Sequence, residues 1–226
     1  MKEKVTLYIE QVLANMPEDW LKLTTHRLDI YNEKLAKTEF LDQFENLYKK
    51  GNSDKTALAN LPTAFDYIRL GHPLSSVLEW AIAKLNNLKP EHMISFSSKT
   101  IPVLAVLRKN LFEEKATQII YKEELPECFD FEAIRRVYGY DFQLKKIDQL
   151  EDIPKFDGST VFISKNDDLN DLRIDQNIDF FISLQAELGS ILVVNGIQNE
   201  SYISEIQHVR RRETIAMTPA DCFTTL

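Results

Sequence analysis

From about residue 62 onward, the chain alternates short apolar segments with amphipathic helical segments, and this alternation limits the folds open to it. Strands and helices that follow one another in turn pack as a parallel sheet covered by the helices. We therefore predict an α/β fold, with a mostly parallel sheet and helices on both faces. The predicted strands are residues 93–98, 117–121, 140–145, 159–164 and 190–194, and the predicted helices are residues 73–85, 100–112, 131–138 and 177–188.

The N-terminal quarter of the sequence lacks this alternation and is helical throughout. Residues 3–16 carry an apolar stripe at helical spacing that Pro17 ends, and residues 18–50 hold a second helical region. We predict two parts, a helical segment at 1–61 and an α/β domain at 62–226. Because an exposed amphipathic helix needs a partner face, the helical segment is a candidate docking element.

Composition excludes several classes of function. The 226 residues carry a net charge of −8, which argues against a general binder of nucleic acid or anionic membranes. No apolar run approaches the roughly 20 residues of a membrane span, so we expect a cytoplasmic protein. The four histidines and the cysteines Cys128 and Cys222 have no ligand spacing, and we predict neither a metal site nor a disulfide.

One stretch places a tyrosine, an arginine and a histidine ahead of a helix. The sequence Tyr-Ile-Arg-Leu-Gly-His-Pro at positions 67–73 leads into an apolar-faced helix that Pro73 opens, since proline suits the first helical turn. Together with the Leu-Glu-x-x-Ile-Ala that follows, this pattern resembles the segment that opens the cofactor domain of the Cys/Met-metabolism enzymes. These are pyridoxal-phosphate-dependent proteins such as cystathionine γ-synthase and the cystathionine lyases.

The resemblance implies a shortened large domain of the fold type I pyridoxal-phosphate enzymes and three cofactor contacts. Tyr67 and Arg69 match the side chains that cross a dimer interface to the phosphate of the neighbouring subunit's cofactor. A guanidinium and a phenol suit a phosphate dianion. Ser98 matches the Ser-Gly-Met turn whose amides bind phosphate at a helix N-terminus, although Lys99 and Thr100 replace its Gly and Met.

Two departures from the family pattern concern catalysis. Val194 falls at the position of the aspartate that keeps the pyridine nitrogen protonated, which valine cannot do. No lysine follows Lys165, so the residue that would form the Schiff base has no counterpart. We accordingly predict no catalytic residue and no covalently bound cofactor.

Three functional hypotheses follow from these residues. In the first, the chain is a catalytically degenerate homologue that acts as a non-catalytic or regulatory partner of a pyridoxal-phosphate-bearing relative, or pairs with itself, and brings Tyr67 and Arg69 to a phosphate site at the interface. In the second, it is an acidic protein-interaction module without a cofactor role. In the third, it is a pyridoxal-phosphate-dependent lyase or transferase that binds the cofactor noncovalently.

Overall fold

The computed structural model describes residues 2–22, 33–62, 69, 71–165, 168–186 and 188–226, with backbone only for 33–36. Contacts group the chain into two compact units, Met1–Ser95 with Ile215–Leu226, and Phe96–Thr214. The predicted division between residues 61 and 62 falls inside the first unit, beside positions 63–68 that are not described. That division stays a prediction.

The helices and strands follow one another mostly as expected. The helices are α1 Lys2–Asn15, α2 Glu33–Lys50, α3 Lys55–Ala59, α4 Pro73–Leu85, α5 Ile101–Phe112, α6 Phe131–Tyr138, α7 Ser201–Glu213 and α8 Pro219–Thr225. The strands are β1 Met93–Phe96, β2 Thr117–Tyr121, β3 Gln143–Lys146, β4 Ser159–Ser164, β5 Phe180–Gln185 and β6 Gly189–Val194. Short 3-10 turns lie at Glu18–Leu21, Pro90–His92, Leu150–Asp152 and Ile197–Asn199.

The first unit is built on α4, whose apolar face packs against α1 and α2. The rings of Phe44 and Trp80 are nearly perpendicular with their centroids 5.0 Å apart, and the Tyr8 ring centroid lies 5.7 Å from that of Phe44. Aromatic pairs at this spacing add about 0.5–1.5 kcal/mol each beyond the area they bury. The helical N-terminal segment therefore contributes to the core of this unit, and a docking role for it stays a prediction.

The sheet has the strand order β1-β6-β5-β4-β2-β3. β3, β2, β4 and β5 pair in parallel, and β6 runs antiparallel to β5. Every residue of β4, β5 and β6 is buried, as expected for strands that are covered on both faces. The predicted fold class, a mostly parallel sheet with helices on both sides, is confirmed.

The helix predicted at residues 177–188 is wrong, because this segment contains strand β5. Phe180, Phe181 and Ile182 are aromatic and β-branched residues that favour strands. A strand buried on both faces shows no apolar-polar alternation, so Ile178, Phe181, Ile182 and Leu188 also fit a helical stripe. Periodicity alone could not separate the two.

Candidate functional site

The loop before α4 is fixed at His72, which is buried and caps the helix. The ring atom Nδ1 of His72 accepts a hydrogen bond from the backbone N–H of Ser75 (3.2 Å). The backbone N–H of His72 donates to Ser75 Oγ (3.0 Å). Pro73 at the first helical position lacks the N–H that would otherwise need a partner. The sequence His-Pro-Leu-Ser thus builds a reciprocal cap of the kind usually formed by Ser, Thr, Asp or Asn.

The other ring nitrogen of His72 ties the cap to the C-terminal segment. Nε2 lies 2.7 Å from the carbonyl oxygen of Met217. Because Nδ1 accepts a hydrogen bond, the proton of a neutral ring lies on Nε2, which donates to that carbonyl. His72 therefore holds the start of α4 against the residues that lead into α8.

Arg69 stands three residues before this anchor, and its side chain is exposed. Tyr67, the predicted companion of Arg69, lies outside the described residues. A guanidinium that reaches solvent near a fixed helix start is accessible to a second molecule. The prediction that Tyr67 and Arg69 act on a neighbouring subunit stays a prediction.

Two substitutions of His72 separate its roles as cap and as tether. His72→Ala removes both the cap and the bond to Met217, and we expect it to lower the free energy of unfolding by about 2–3 kcal/mol. His72→Asn keeps a capping oxygen but cannot reach Met217, so its cost should be about 1 kcal/mol. Urea unfolding followed by tryptophan fluorescence reports on this unit, because Trp20 and Trp80 both lie in it. Equal losses for the two variants would contradict a capping role.

In the second unit, the predicted phosphate turn at Ser98 precedes α5 and its polar groups are paired within the chain. The N–H groups of Thr100 and Ile101 donate to Ser98 Oγ (3.3 and 3.2 Å). Pro102 has no N–H, and the Val103 N–H donates to the Thr100 carbonyl at 3.0 Å. The donors that a helix N-terminus offers to an anion are thus used internally. The assignment of Ser98 to a cofactor phosphate stays a prediction.

The carboxyl ends of β4 and β5 are where a ligand binds in an open α/β sheet. At the end of β5, the buried Gln185 donates from Nε2 to Ser183 Oγ at 2.8 Å. At the end of β4, Ser164 is followed by the exposed Lys165. The polar groups described at these two strand ends are thus buried hydroxyls, a buried amide that is hydrogen-bonded within the chain, and the exposed Lys165 ammonium.

Val194 does not lie at that edge, so its predicted correspondence with the cofactor-binding aspartate is wrong. It ends β6, which runs antiparallel to β5, and its register partner is Phe180 at the start of β5. The carboxyl end of β6 therefore points to the amino-terminal edge of the parallel strands. A valine there cannot take the place of a side chain at the carboxyl ends of the parallel strands.

A buried ion pair in the first unit was not foreseen from the sequence. Lys37 Nζ binds Glu79 Oε2, and Glu79 Oε1 accepts from the Ser95 N–H (2.9 Å) and the Ser95 Oγ (2.8 Å). Glu79 is the glutamate of the family-like pattern, and here it joins α2, α4 and β1. Only the glutamate between apolar residues of α4 could have indicated a buried carboxylate, and nothing in the sequence indicates its partner 42 positions away.

A second polar cluster lies at the amino-terminal edge of the sheet in the second unit. Tyr202 donates to Asn110 Oδ1 (2.5 Å) and contacts Glu113 Oε2 (3.1 Å), and Asn110 Nδ2 donates to Thr117 Oγ1 (2.7 Å). Burial, together with the nearby Glu113 carboxylate, raises the pKa of Tyr202 to about 12. The phenol is thus neutral, and the cluster lies away from the ligand-binding edge.

Comparison with solved structures shows which fold this arrangement shares. The yeast cystathionine gamma-lyase matches with a TM-score of 0.52 at 10% identity, over 96% of this chain and 61% of the lyase. The cystathionine gamma-lyase of Lactobacillus plantarum and the cystathionine gamma synthase of Xanthomonas oryzae pv. oryzae, each at 12% identity, give TM-scores of 0.47 over 96% and 87% of this chain and 62% of theirs. This chain spans about three fifths of the length of these enzymes. At such identity, the similarity to the yeast enzyme shows a shared fold.

Other comparisons and searches add no further assignment. No protein-family model and no curated protein sequence matches the chain. Within the described ranges, no helix has both the length and the apolarity to cross a bilayer. The same residues contain no cluster of three or more His, Cys, Asp or Glu side chains arranged to hold a metal ion.

Proposed function

We propose that the protein is a non-catalytic, cytoplasmic partner of a pyridoxal-phosphate-bearing enzyme of Cys/Met metabolism and contributes Arg69, with Tyr67, to the phosphate of that enzyme's cofactor. The observation that carries this proposal is the exposed guanidinium of Arg69, three residues before the anchor formed by His72. A loop held at one end presents a charged side chain to a partner at a reduced entropic cost.

The ligand-binding edge of this chain fits a covalently bound pyridoxal phosphate poorly. The Thr100 and Ile101 N–H groups donate to Ser98, and the chain carries no lysine after Lys165. Where the chain turns from β5 towards β6 it carries Ala186, whose side chain has no amine to bond to the cofactor. These features favour a role towards a partner's cofactor over catalysis at the chain's own edge.

The test uses the tagged full chain, purified with its bound proteins from its native cells. We expect the complex to show visible pyridoxal-phosphate absorbance, and Arg69→Ala to weaken cofactor retention about 10- to 100-fold because one charged hydrogen bond to phosphate is lost. The measurement is the apparent dissociation constant of the cofactor after dialysis and re-addition. Arg69→Lys keeps the charge without the bidentate fork, so its cofactor affinity should lie between those of the wild type and Arg69→Ala.

Arg173 provides a matched control, since it is also an exposed arginine and lies in the other unit. Arg173→Ala should leave cofactor retention unchanged. If the Arg69→Ala complex binds the cofactor as tightly as the wild type, the proposal is wrong. If no cofactor-bearing protein copurifies with the wild-type chain, it is equally wrong.

The alternatives make different predictions in the same preparation. An acidic interaction module would bind its partner without cofactor and would be insensitive to Arg69→Ala. A self-contained enzyme would shift the cofactor spectrum when the isolated chain is titrated with pyridoxal phosphate. Removing residues 1–60 cannot test docking, since this also removes Tyr8 and Phe44, which pack around Trp80. Leu7→Ser on the exposed side of α1 is the better variant.

A further inference from the structure

Strand β3 forms one edge of the sheet, and all four of its side chains, Gln143–Lys146, are exposed. On its inner side it pairs with β2 in parallel register, Tyr121 lying opposite Lys146. An edge strand carries a row of backbone groups on its outer side that can pair with another strand. The features of this edge decide what kind of strand it can accept.

The direction of the backbone groups follows from one hydrogen bond beyond the strand. The Ile147 N–H donates to the Tyr121 carbonyl at 3.0 Å, so residue 147 faces β2. Successive residues of a strand point their N–H and C=O groups to opposite sides, which turns those of Leu144 and Lys146 outwards. In the described part of the chain, the outward groups of Leu144 and Lys146 have no hydrogen-bond partner.

The preceding outward position limits the open edge. The Phe142 carbonyl accepts a hydrogen bond from the Arg135 guanidinium (3.0 Å), which lies over the Phe142 ring at 4.3 Å. An incoming strand therefore begins at Leu144. Leu144 is 37% exposed, so its side chain adds apolar surface beside the open backbone groups.

Two exposed basic side chains at this edge have no ion pair among the described residues. Residues 135–146 contain four basic side chains and one acidic one, and Arg135 pairs with Glu132 while Lys146 pairs with Glu124, which leaves Arg136 and Lys145. Lysines on an edge strand repel a second copy of the same edge. They attract a strand that carries carboxylates.

We propose that the β3 edge binds an extended acidic segment of a partner protein, which pairs with Leu144 and Lys146 as an added strand. The backbone bonds provide a binding mode that nucleic acids cannot use, because they lack alternating N–H and C=O groups. Lys145, which forms no ion pair within the described residues, selects acidic side chains. This surface belongs to the second unit, and the inference does not depend on the function proposed above.

The probe is the peptide Ac-Glu-Val-Glu-Val-Glu-NH2, titrated into the full ¹⁵N-labelled chain, with Ac-Lys-Val-Lys-Val-Lys-NH2 as its charge-reversed control. We expect the amide chemical shifts of Leu144 and Lys146 to change and their hydrogen exchange to slow. The acidic peptide should bind at least about tenfold more tightly than the basic one at low salt, and this preference should weaken as salt is added.

Leu144→Pro removes one outward N–H and leaves the ladder to β2 intact, because residues 143 and 145 carry the inward groups. We expect Leu144→Pro to weaken binding of the acidic peptide at least about tenfold. Leu144→Ala, which keeps the N–H, should change the affinity for this peptide by less than about threefold. Far-UV circular dichroism verifies that both variants are folded.

Three outcomes would overturn this proposal. The first is equal affinity of the wild type and Leu144→Pro for the acidic peptide. The second is self-association of the chain that Leu144→Pro abolishes, since the edge would then accept a second copy. The third is binding of a short DNA duplex at the same amides with equal strength, which would leave charge as the sole determinant.

Discussion

Replacing Gly189 by alanine is expected to lower the free energy of unfolding by about 4 kcal/mol, because strain and a backbone clash add together. Gly189 starts β6 with φ +117°, a conformation that side chains rarely adopt. A Cβ at this position would lie 2.1 Å from the Phe96 carbonyl oxygen. Both contacting residues belong to strands, since Gly189 begins β6 and Phe96 ends β1. Moving either main chain would disturb strand hydrogen bonds. Urea unfolding followed by far-UV circular dichroism measures the loss.

Gly139 supplies the matched control, as it has positive φ but no neighbour. It ends α6 with φ +69°, and a Cβ there would meet no atom within 4 Å. Gly139→Ala should therefore cost about 1 kcal/mol, the strain of a left-handed residue without a clash. If Gly139→Ala and Gly189→Ala destabilise equally, close packing against Phe96 does not set the requirement for glycine.

The sequence predicts those elements of the fold whose evidence is local. The strand at 117–121 and the helix at 131–138 were placed at the bounds that the structure has, because a β-rich run and a helical pattern ended by Gly139 are separable signals. β5 was missed because a strand buried on both faces and a buried helix share an uninterrupted apolar sequence. That error also misplaced Val194, since an antiparallel return strand reverses the edge at which its last residue lies.

The candidate site could be predicted only where chemistry is carried by residue type. Arg69 before a proline-opened helix is visible in the sequence, and the structure places its side chain in solvent. The role of His72 was not visible, because its bond to Met217 spans 145 positions. The pairing of the Thr100 and Ile101 N–H groups with Ser98 was also missed, although serine hydroxyls commonly accept hydrogen bonds from N–H groups two and three residues further on. Long-range pairing and competing local hydrogen bonds are properties of the folded chain.

Removing the negative charge of Glu79 is expected to lower the free energy of unfolding about as much as Gly189→Ala does. The Lys37 and Glu79 side chains are 10% and 2% exposed, so an ammonium left without its carboxylate stays in a poorly solvated site. Breaking one partner of such a pair costs about 3–5 kcal/mol. We expect this loss for Glu79→Gln, which keeps an oxygen for the Ser95 N–H and hydroxyl. Urea unfolding followed by tryptophan fluorescence detects it.

The double variant Lys37→Met/Glu79→Gln identifies the cause. It removes the buried ammonium as well, so no charge is stranded and Ser95 keeps its acceptor. Replacing both members of a buried pair is often nearly neutral, and we expect stability within about 1 kcal/mol of the wild type. A double variant as unstable as Glu79→Gln alone would show that the loss arises from the Ser95 contacts and not from a stranded charge.

The same two helices carry a second ion pair that serves as the control. Glu45 of α2 binds Lys84 of α4 at 2.9 Å, with side chains 22% and 33% exposed. Burial alone would raise the pKa of Glu45, but the hydrogen bonds from Lys84 and Trp80 and the charges of Lys84 and Lys49 together lower it. Lys84→Met should cost no more than about 1 kcal/mol and lose part of this effect in high salt, since solvent screens the pair. The cost of Glu79→Gln should be independent of salt, because ions in the solvent do not screen a buried pair. The burial of an ion pair between α2 and α4 therefore decides how much that pair contributes to stability.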